Sequence, residues 1–126
     1  MGGARFPHAA RIVKPSDFLR LRRTGERVGV RHFNAQAAAG TANCARLGLA
    51  VSRRVSTDAV RRNRIKRIAR ESFRKVRAGL PVVDILLIAR ESADGEDNAA
   101  LRADLDSLWR RLASLNGSQR PGTMRA

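Results

Sequence analysis

The stretch that most constrains the fold is "AVRRNRIKRIARESFRKVR", which runs from Ala59 to Arg77. Nine of its nineteen residues are Arg or Lys, and only one is acidic. At helical spacing its apolar side chains fall within one arc of about 140°, which predicts an amphipathic helix packed on the rest of the protein. The stripe expected to be buried comprises Ile65, Ile68, Ala69, Ser72, Phe73 and Val76.

The opposite side of this helix carries the charge. Like charges at helical spacing repel, and a solvated face would ordinarily mix signs so that neighbours pair. We therefore interpret this side as an anion-binding face, the alternative being a face that is merely soluble. It forms a stripe about 100° wide made of Asn63, Lys66, Arg67, Arg70 and Arg74.

The composition narrows the choice of partner. A chain of 126 residues is enough for one domain, and its net charge of +15 with a pI near 11.9 favours nucleic acid or an anionic membrane. The longest apolar run, "VVDILLIA", is too short to span a bilayer. The N-terminus lacks the apolar core of a signal peptide, which predicts a cytoplasmic protein. The single cysteine, Cys44, excludes an internal disulfide, and no zinc-ligand set is present.

Before the basic helix, the pattern predicts a short helix and two strands. In "KPSDFLRLRRTG" we expect a helix with Ser16 as N-cap and Gly25 as its stop, and with Phe18 and Leu21 on one side. Two alternating stretches follow, each predicting a half-buried strand. Their core-facing residues are Phe33, Ala35 and Ala37, then Leu47, Leu49 and Val51; the opposite face carries His32, Asn34 and Gln36, then Gly48, Ala50 and Ser52.

After the basic helix we expect one more strand and one more helix. "VVDILLIAR" is typical of a well-buried strand, and Asn98 to Leu115 carries five leucines at helical spacing. These elements predict one domain over residues 1–115, with residues 116–126 as a flexible tail. Asp84, Asp104 and Asp106 are interpreted as structural or surface carboxylates, so no catalytic or metal-binding residue is expected in the protein.

RNA is a better match than DNA for the basic face. Arginine outnumbers lysine there, which suits forked phosphate contacts and base stacking. Nothing in the sequence resembles a recognition helix, a zipper or a zinc finger. Three alternatives remain at this point: a ribosomal or other structural RNA-binding protein, a DNA-binding protein, and a metal-dependent nuclease that acts alone.

The order of motifs resembles a known family. "RRNRIKRIARESFR", preceded by "RLGLAVSRR" and followed by "LPVVDILLIAR", closely resembles the Arg-Asn-Arg signature of the protein component of bacterial ribonuclease P. The resemblance covers Phe6 to Leu115 in the right order. It implies a compact α+β fold of order αβββαβα, related to a ribosomal-protein domain, with a left-handed βαβ crossover that departs from the usual right-handed rule.

The resemblance also implies a function. Such a protein binds the catalytic RNA of ribonuclease P and the 5′ leader of precursor tRNA, and it assists endonucleolytic removal of that leader. The chemistry belongs to the RNA and its Mg²⁺ ions, with no cofactor bound by the protein, no membrane and no DNA. The expected RNA-binding residues are Arg53, Arg54, Arg61, Arg62, Asn63, Arg64, Lys66, Arg67, Arg70 and Arg74; those expected in the leader groove are Phe18, Arg22, His32, Asn34, Gln36, Ala50 and Ser52.

The chain departs from the family pattern at three places. Arg22 stands where a second aromatic is common, and Gln36 stands where an aromatic or bulky apolar residue is common. A glycine found before the signature helix in some members is absent from "RRVSTDAV". These differences predict weaker base stacking in the groove, with hydrogen bonds or charge in its place.

Overall fold

The computed structural model describes residues 11–12, 14–40 and 44–118 of the chain. The predicted α+β class and the order αβββαβα are confirmed. The elements are α1 (Pro15–Thr24), β1 (Glu26–Gly29), β2 (Phe33–Ala39), β3 (Arg46–Ala50), α2 (Ala59–Val76), β4 (Val83–Ala89) and α3 (Asn98–Ser118). A 3-10 turn, Arg77–Gly79, follows α2, and a second, Glu91–Gly95, precedes α3 and is called here the acidic turn.

The four strands form one sheet in the order β1-β2-β4-β3. β2 pairs antiparallel with both β1 and β4, whereas β3 and β4 run parallel. Because β3 and β4 are parallel neighbours joined through α2, the basic helix is the crossover of a βαβ unit. Its left-handedness stays a prediction. At the free edge of β3, Arg11 forms an isolated parallel bridge with Leu47.

The two faces of the sheet are covered by different helices. On one face, α2 and α3 pack over Phe33, Ala35 and Ala37, as the strand alternation predicted. The other face carries a smaller cluster, in which Leu21 of α1 and Leu86 of β4 are fully buried. The large core therefore lies beneath the basic helix, and α1 covers part of the opposite face.

The start of α1 differs from the prediction. Pro15 is the first helical residue, and Lys14 occupies the N-cap position without a side-chain hydrogen bond, so the assignment of Ser16 as N-cap is wrong. Proline is favoured at the first helical position because its fixed φ suits the helix and its missing N–H needs no partner there. The predicted end is right: the Gly25 N–H donates to the Leu21 carbonyl at 3.0 Å.

The basic helix forms as predicted, with its apolar stripe buried. Asp58 is its N-cap, and the side chain accepts a hydrogen bond from the Val60 N–H at 2.9 Å. Ile65, Ile68, Ala69, Ser72 and Phe73 are all buried, and Val76 is partly buried against them. The Phe73 ring packs on Trp109 of α3 with centroids 5.6 Å apart, while the Trp109 indole N–H donates to the Ser72 hydroxyl at 2.7 Å.

The remaining differences concern short or terminal segments. The residue pattern did not reveal β1, which spans only four residues with a single buried side chain, Val28. The helix α3 buries Leu101, Leu105, Leu108 and Leu112 as expected, and it continues past Leu115 to Ser118. Of the predicted tail, residues 119–126 lie outside the described part of the chain.

Candidate nucleic-acid interface

The outer side of α2 is a basic surface. Asn63 and Arg67 are exposed there, while Lys66, Arg70 and Arg74 are half-buried at its borders. Arg53 and Arg54 are exposed in the turn that precedes the helix. The arrangement presents guanidinium and ammonium groups along one side of a helix of 18 residues, about 27 Å long. Such a surface matches the spacing of a phosphate backbone better than that of a single small anion.

Three of the predicted RNA-binding arginines are engaged by the protein itself. Arg61 donates from Nε to the Asp94 carboxylate at 2.8 Å, and this hydrogen bond raises the pKa of Arg61. Arg62 donates to the Ser56 carbonyl at 2.8 Å. Arg64 donates to Asn98 Oδ1 at 2.6 Å and to the Glu96 carbonyl at 3.0 Å. The first turns of α2 are thus fastened to the acidic turn and to the start of α3.

Further along the helix, positive charges crowd one another. Burial, and after it the charge of Arg11, lowers the pKa of the Arg70 guanidinium. The Nε atom of Arg74 is buried and has no hydrogen-bond partner within the described part of the chain. Burial and like charge both disfavour a cation, and an anion placed here would offset both effects. This half of the helix is therefore the part best suited to bind a phosphate.

On the opposite face of the sheet, where the leader groove was predicted, α1 divides a shallow trough into a covered and an open part. Phe18 of α1 lies directly over Gly48 of β3, where a Cβ atom would come within 2.6 Å of Phe18 Cε1. Only glycine leaves room for the ring, which explains the residue at this point of the strand. Ile12 and Leu86 complete the covered part, and the open part is floored by the half-buried Ile88 and Ala50.

The residues predicted to line the groove differ in their exposure and in their distance from the trough. Asn34 is exposed beside Ile88, its partner in the β2–β4 register. Gln36 is half-buried, and its Oε1 atom is buried without a hydrogen-bond partner in the described residues. Arg22 is exposed on α1. Ser52 lies beyond the end of β3, where its hydroxyl accepts a hydrogen bond from the Arg54 N–H at 3.3 Å.

The prediction that His32 lines the groove is wrong. Only 4% of His32 is exposed, and its Nδ1 atom lies 2.8 Å from the Ser92 hydroxyl beside the acidic turn. Its backbone N–H donates to Asp104 of α3 at 2.8 Å. The alternation was extended one residue too far, because β2 begins at Phe33 and the preceding bend turns towards α3. Asp104 is thereby a structural carboxylate, as predicted.

A buried ion network holds α1 against the sheet, and sequence reasoning missed its arginines. Asp84 of β4 is fully buried and accepts hydrogen bonds from Arg46 Nε at 2.9 Å, Arg46 Nη2 at 2.8 Å and Arg20 Nη2 at 2.5 Å. Burial alone would raise the pKa of Asp84, but the hydrogen bonds and charges of Arg46 and Arg20 outweigh it, and the pKa is lowered. An aspartate within an apolar strand was itself the signal, because a buried carboxylate requires cationic partners.

The described residues form neither a metal site nor a membrane-spanning helix. No group of three or more His, Cys, Asp or Glu side chains is arranged to hold a metal ion in the described part of the chain. None of the helices described is long and apolar enough to cross a membrane. Cys44 is a free, half-buried thiol.

The fold and its surfaces define a class: a small α+β protein with a basic crossover helix on one side of its sheet and a helix-walled trough on the other. The family model described as Ribonuclease P matches residues 6–113. The chain therefore belongs to the ribonuclease P protein family, as its motifs predicted.

Individual relatives support this assignment over most of their length. The ribonuclease P protein component of Thioalkalivibrio sulfidiphilus is 35% identical over 109 residues, which cover 86% of this chain and 91% of that protein. The component from Halorhodospira halophila is 41% identical over 106 residues, covering 83% and 87%. Among solved structures, the RNase P protein of Staphylococcus aureus matches with a TM-score of 0.76 at 31% identity, covering 80% of this chain and 93% of that one. The protein of Thermotoga maritima matches with a TM-score of 0.72 at 29% identity, covering 80% and 96%.

Proposed function

We propose that this chain is the protein subunit of ribonuclease P, the endoribonuclease that removes the 5′ leader of precursor tRNA in the cytoplasm. In this proposal the outer side of α2 binds the catalytic RNA, and the open part of the trough holds the leader. The RNA supplies the catalytic centre and holds the Mg²⁺ ions. The protein contributes affinity for the substrate and takes no part in bond cleavage.

The observation that carries the proposal is the crowding of positive charge along α2 in a chain of this family. Arg70 lies close enough to Arg11 for their charges to interact, and Arg74 keeps a buried Nε without a partner in the described residues. A folded protein keeps such an arrangement most readily when a polyanion neutralises it. Arginine forks suit the phosphates of a folded RNA, whose binding also releases counterions.

The trough supports the second half of the proposal. Its open part combines an apolar floor, Ile88 and Ala50, with the polar edge residue Asn34. Phe18 stands at the boundary with part of its ring exposed. A single-stranded nucleic acid binds where a shallow surface offers an aromatic ring for stacking and polar groups nearby.

The test is cleavage of precursor tRNA by a bacterial ribonuclease P RNA at low Mg²⁺, with and without the protein. We expect the protein to raise kcat/KM for the precursor and to lower the Mg²⁺ concentration that cleavage requires. The same titration on DNA of equal length should show weaker binding at matched salt. If the protein leaves cleavage unchanged at every concentration while it still binds RNA, a structural RNA-binding role replaces the proposal.

A further inference from the structure

Arg20 makes one of the contacts that hold α1 on the sheet. α1 is only ten residues long, too short to be stable by itself in water, so its contacts with the sheet decide where it lies. Its apolar contacts are few, and among its described side chains Leu21 is the one that is fully buried. Arg20 adds a charged contact from the same helix, donating to the buried Asp84 at 2.5 Å.

The ion network joins residues of the sheet to residues of α1. Asp84 and Arg46 are partners in the β3–β4 register, so their two hydrogen bonds lie within the sheet. Arg20 and Asp17 belong to α1, and Asp17 lies 3.6 Å from Arg46 and 3.7 Å from Arg20. Arg20 therefore ties the helix to a carboxylate whose own position is set by neighbouring strands.

The Arg20–Asp84 contact lies close to the place where the Phe18 ring packs on the sheet. Gly48 and Leu86 are the register pair two residues along from Arg46 and Asp84, a distance of about 7 Å along the strands. A shift of α1 about the Arg20–Asp84 contact would move Phe18 away from Gly48, where the missing side chain leaves room for its ring. Arg20 and Phe18 lie on the same short helix, so a shift of the helix at one residue moves the other.

We propose that Arg20 is a positioning residue that sets how well the protein distinguishes long from short 5′ leaders. By fixing α1 against Asp84 it holds Phe18 at the boundary of the open trough, in the orientation in which the ring stacks on a leader base. Arg20 itself touches no leader nucleotide. This inference rests on the function proposed above. It adds to the residues that determine leader binding one whose side chain points into the ion network and not into the trough.

The test uses Arg20→Gln, which removes the tie and leaves Asp84 paired with Arg46. Arg23→Gln is the matched control, because Arg23 is exposed on the same helix and loses the same charge. Each holoenzyme is assayed on precursors with leaders of about one and about eight nucleotides, and binding of each protein to the catalytic RNA alone is measured as well. Amide hydrogen exchange of residues 15–24 reports whether α1 has loosened.

We expect Arg20→Gln to weaken binding of the long-leader precursor by about fivefold or more, and to leave the short-leader precursor and the catalytic RNA within about twofold of wild type. Amides of α1 should exchange faster in this variant, with those of α2 unchanged. Arg23→Gln should match wild type in all measurements. Arg20→Lys, which keeps a cation near Asp84, should recover part of the long-leader binding.

Each opposite result overturns the inference in a recognisable way. Equal losses on both precursors would mean that Arg20 supports the fold or the contact with the catalytic RNA. Faster exchange of α1 with unchanged leader discrimination would mean that the position of α1 does not govern leader binding. If wild-type holoenzyme itself binds both precursors equally, the proposed leader groove fails and this inference fails with it.

Discussion

Asp84 interrupts an otherwise apolar strand and yet is fully buried. Its three hydrogen bonds to Arg46 and Arg20 explain how a charge is tolerated there. A buried ion pair of this kind adds little net stability over an apolar replacement, but removal of one partner leaves a charge uncompensated. The residue therefore fixes the arrangement of α1 and two strands more than it strengthens the fold.

Asp84 should contribute to the fall in the free energy of unfolding at acidic pH. Its pKa is lowered from the usual 3.8, so the stabilisation is present above that value and is lost as the pH falls through the lower, folded-state pKa. In Asp84→Asn we expect this part of the pH dependence to be missing, and the free energy of unfolding at neutral pH to fall by about 3–5 kcal/mol. Urea unfolding between pH 2 and pH 7 measures both effects. Asp106→Asn, which alters an exposed carboxylate, is the control; an unaltered fall at acidic pH in Asp84→Asn would contradict the assignment.

Phe73 belongs to the core beneath the basic helix, and its buried side chain is not available on the outer side of α2. It is fully buried and packs on Trp109. Phe73→Ala should lower the free energy of unfolding by about 3–5 kcal/mol because it leaves a cavity between α2, α3 and the sheet. Thermal melting by circular dichroism measures the loss, and RNA binding below the melting transition should remain. A variant that melts like wild type and fails to bind RNA would identify Phe73 as a contact residue.

At the scale of elements, the two halves of α2 differ in their contacts. Its first turns are fastened through Arg61 and Arg64 to the acidic turn and α3. Its later turns carry Arg67, exposed, and Arg70, crowded by Arg11. Arg61 is paired with a carboxylate and Arg64 with uncharged oxygens, so the first turns of α2 contribute to the fold. In the function proposed above, the later turns are the part that binds RNA.

Charge reversal in the later turns should therefore weaken RNA binding and leave the fold intact. For Arg67→Glu with Arg70→Glu we expect lower affinity for the catalytic RNA, and a salt dependence of log K that is shallower by up to about 0.9 for each phosphate that the variant no longer binds. The matched control is Arg102→Glu with Arg110→Glu, which changes the net charge equally at exposed sites on α3. If the Arg67 and Arg70 variant keeps its native circular dichroism and its affinity for the RNA, α2 is not part of the interface. If the control variant loses as much affinity, the effect comes from net charge alone.

Elements were predictable from sequence where a long period repeated. The buried stripe of α2 followed from a spacing sustained over the length of the helix, and no competing pattern obscured it. β1 escaped because four residues with one buried side chain give no period to detect. The start of α1 was misplaced because a serine was given more weight than the proline before it, although proline at the first helical position is the stronger signal. His32 was misplaced because alternation says nothing about where a strand begins.

At the scale of the whole molecule, the sheet separates two surfaces. α2 and α3 cover one face, and α1 covers part of the other. Each face was predicted from alternation within the strands, but the ion network behind α1 was not. Its members Arg20 and Asp84 are 64 residues apart in the chain, and no local pattern records a contact that only the folded topology creates.

This separation predicts that the two surfaces act independently. Phe18→Ala and Gln36→Ala should weaken holoenzyme binding to a precursor with a leader of about eight nucleotides, by about 1–3 kcal/mol for Phe18, and leave a precursor with about one nucleotide nearly unchanged. Combined with Arg67→Glu, the free-energy losses should add, because the sites lie on opposite faces of the sheet and no contact between them is found in the described residues. Binding titrations of the single and combined variants measure this. Losses of similar size on both precursors would place the leader elsewhere.

The burial of Trp109 has a practical consequence for studying this protein. The chain contains one tryptophan and no tyrosine, so its near-ultraviolet emission originates almost entirely from one indole. That indole lies between α2 and α3, hydrogen-bonded to Ser72, on the far side of the sheet from α1. Fluorescence will therefore follow the packing of α2 on α3, and we expect it to stay unchanged when α1 shifts. The protein thus has an intrinsic probe in the core on one side of its sheet, and an introduced fluorophore is needed only to follow α1 on the other side.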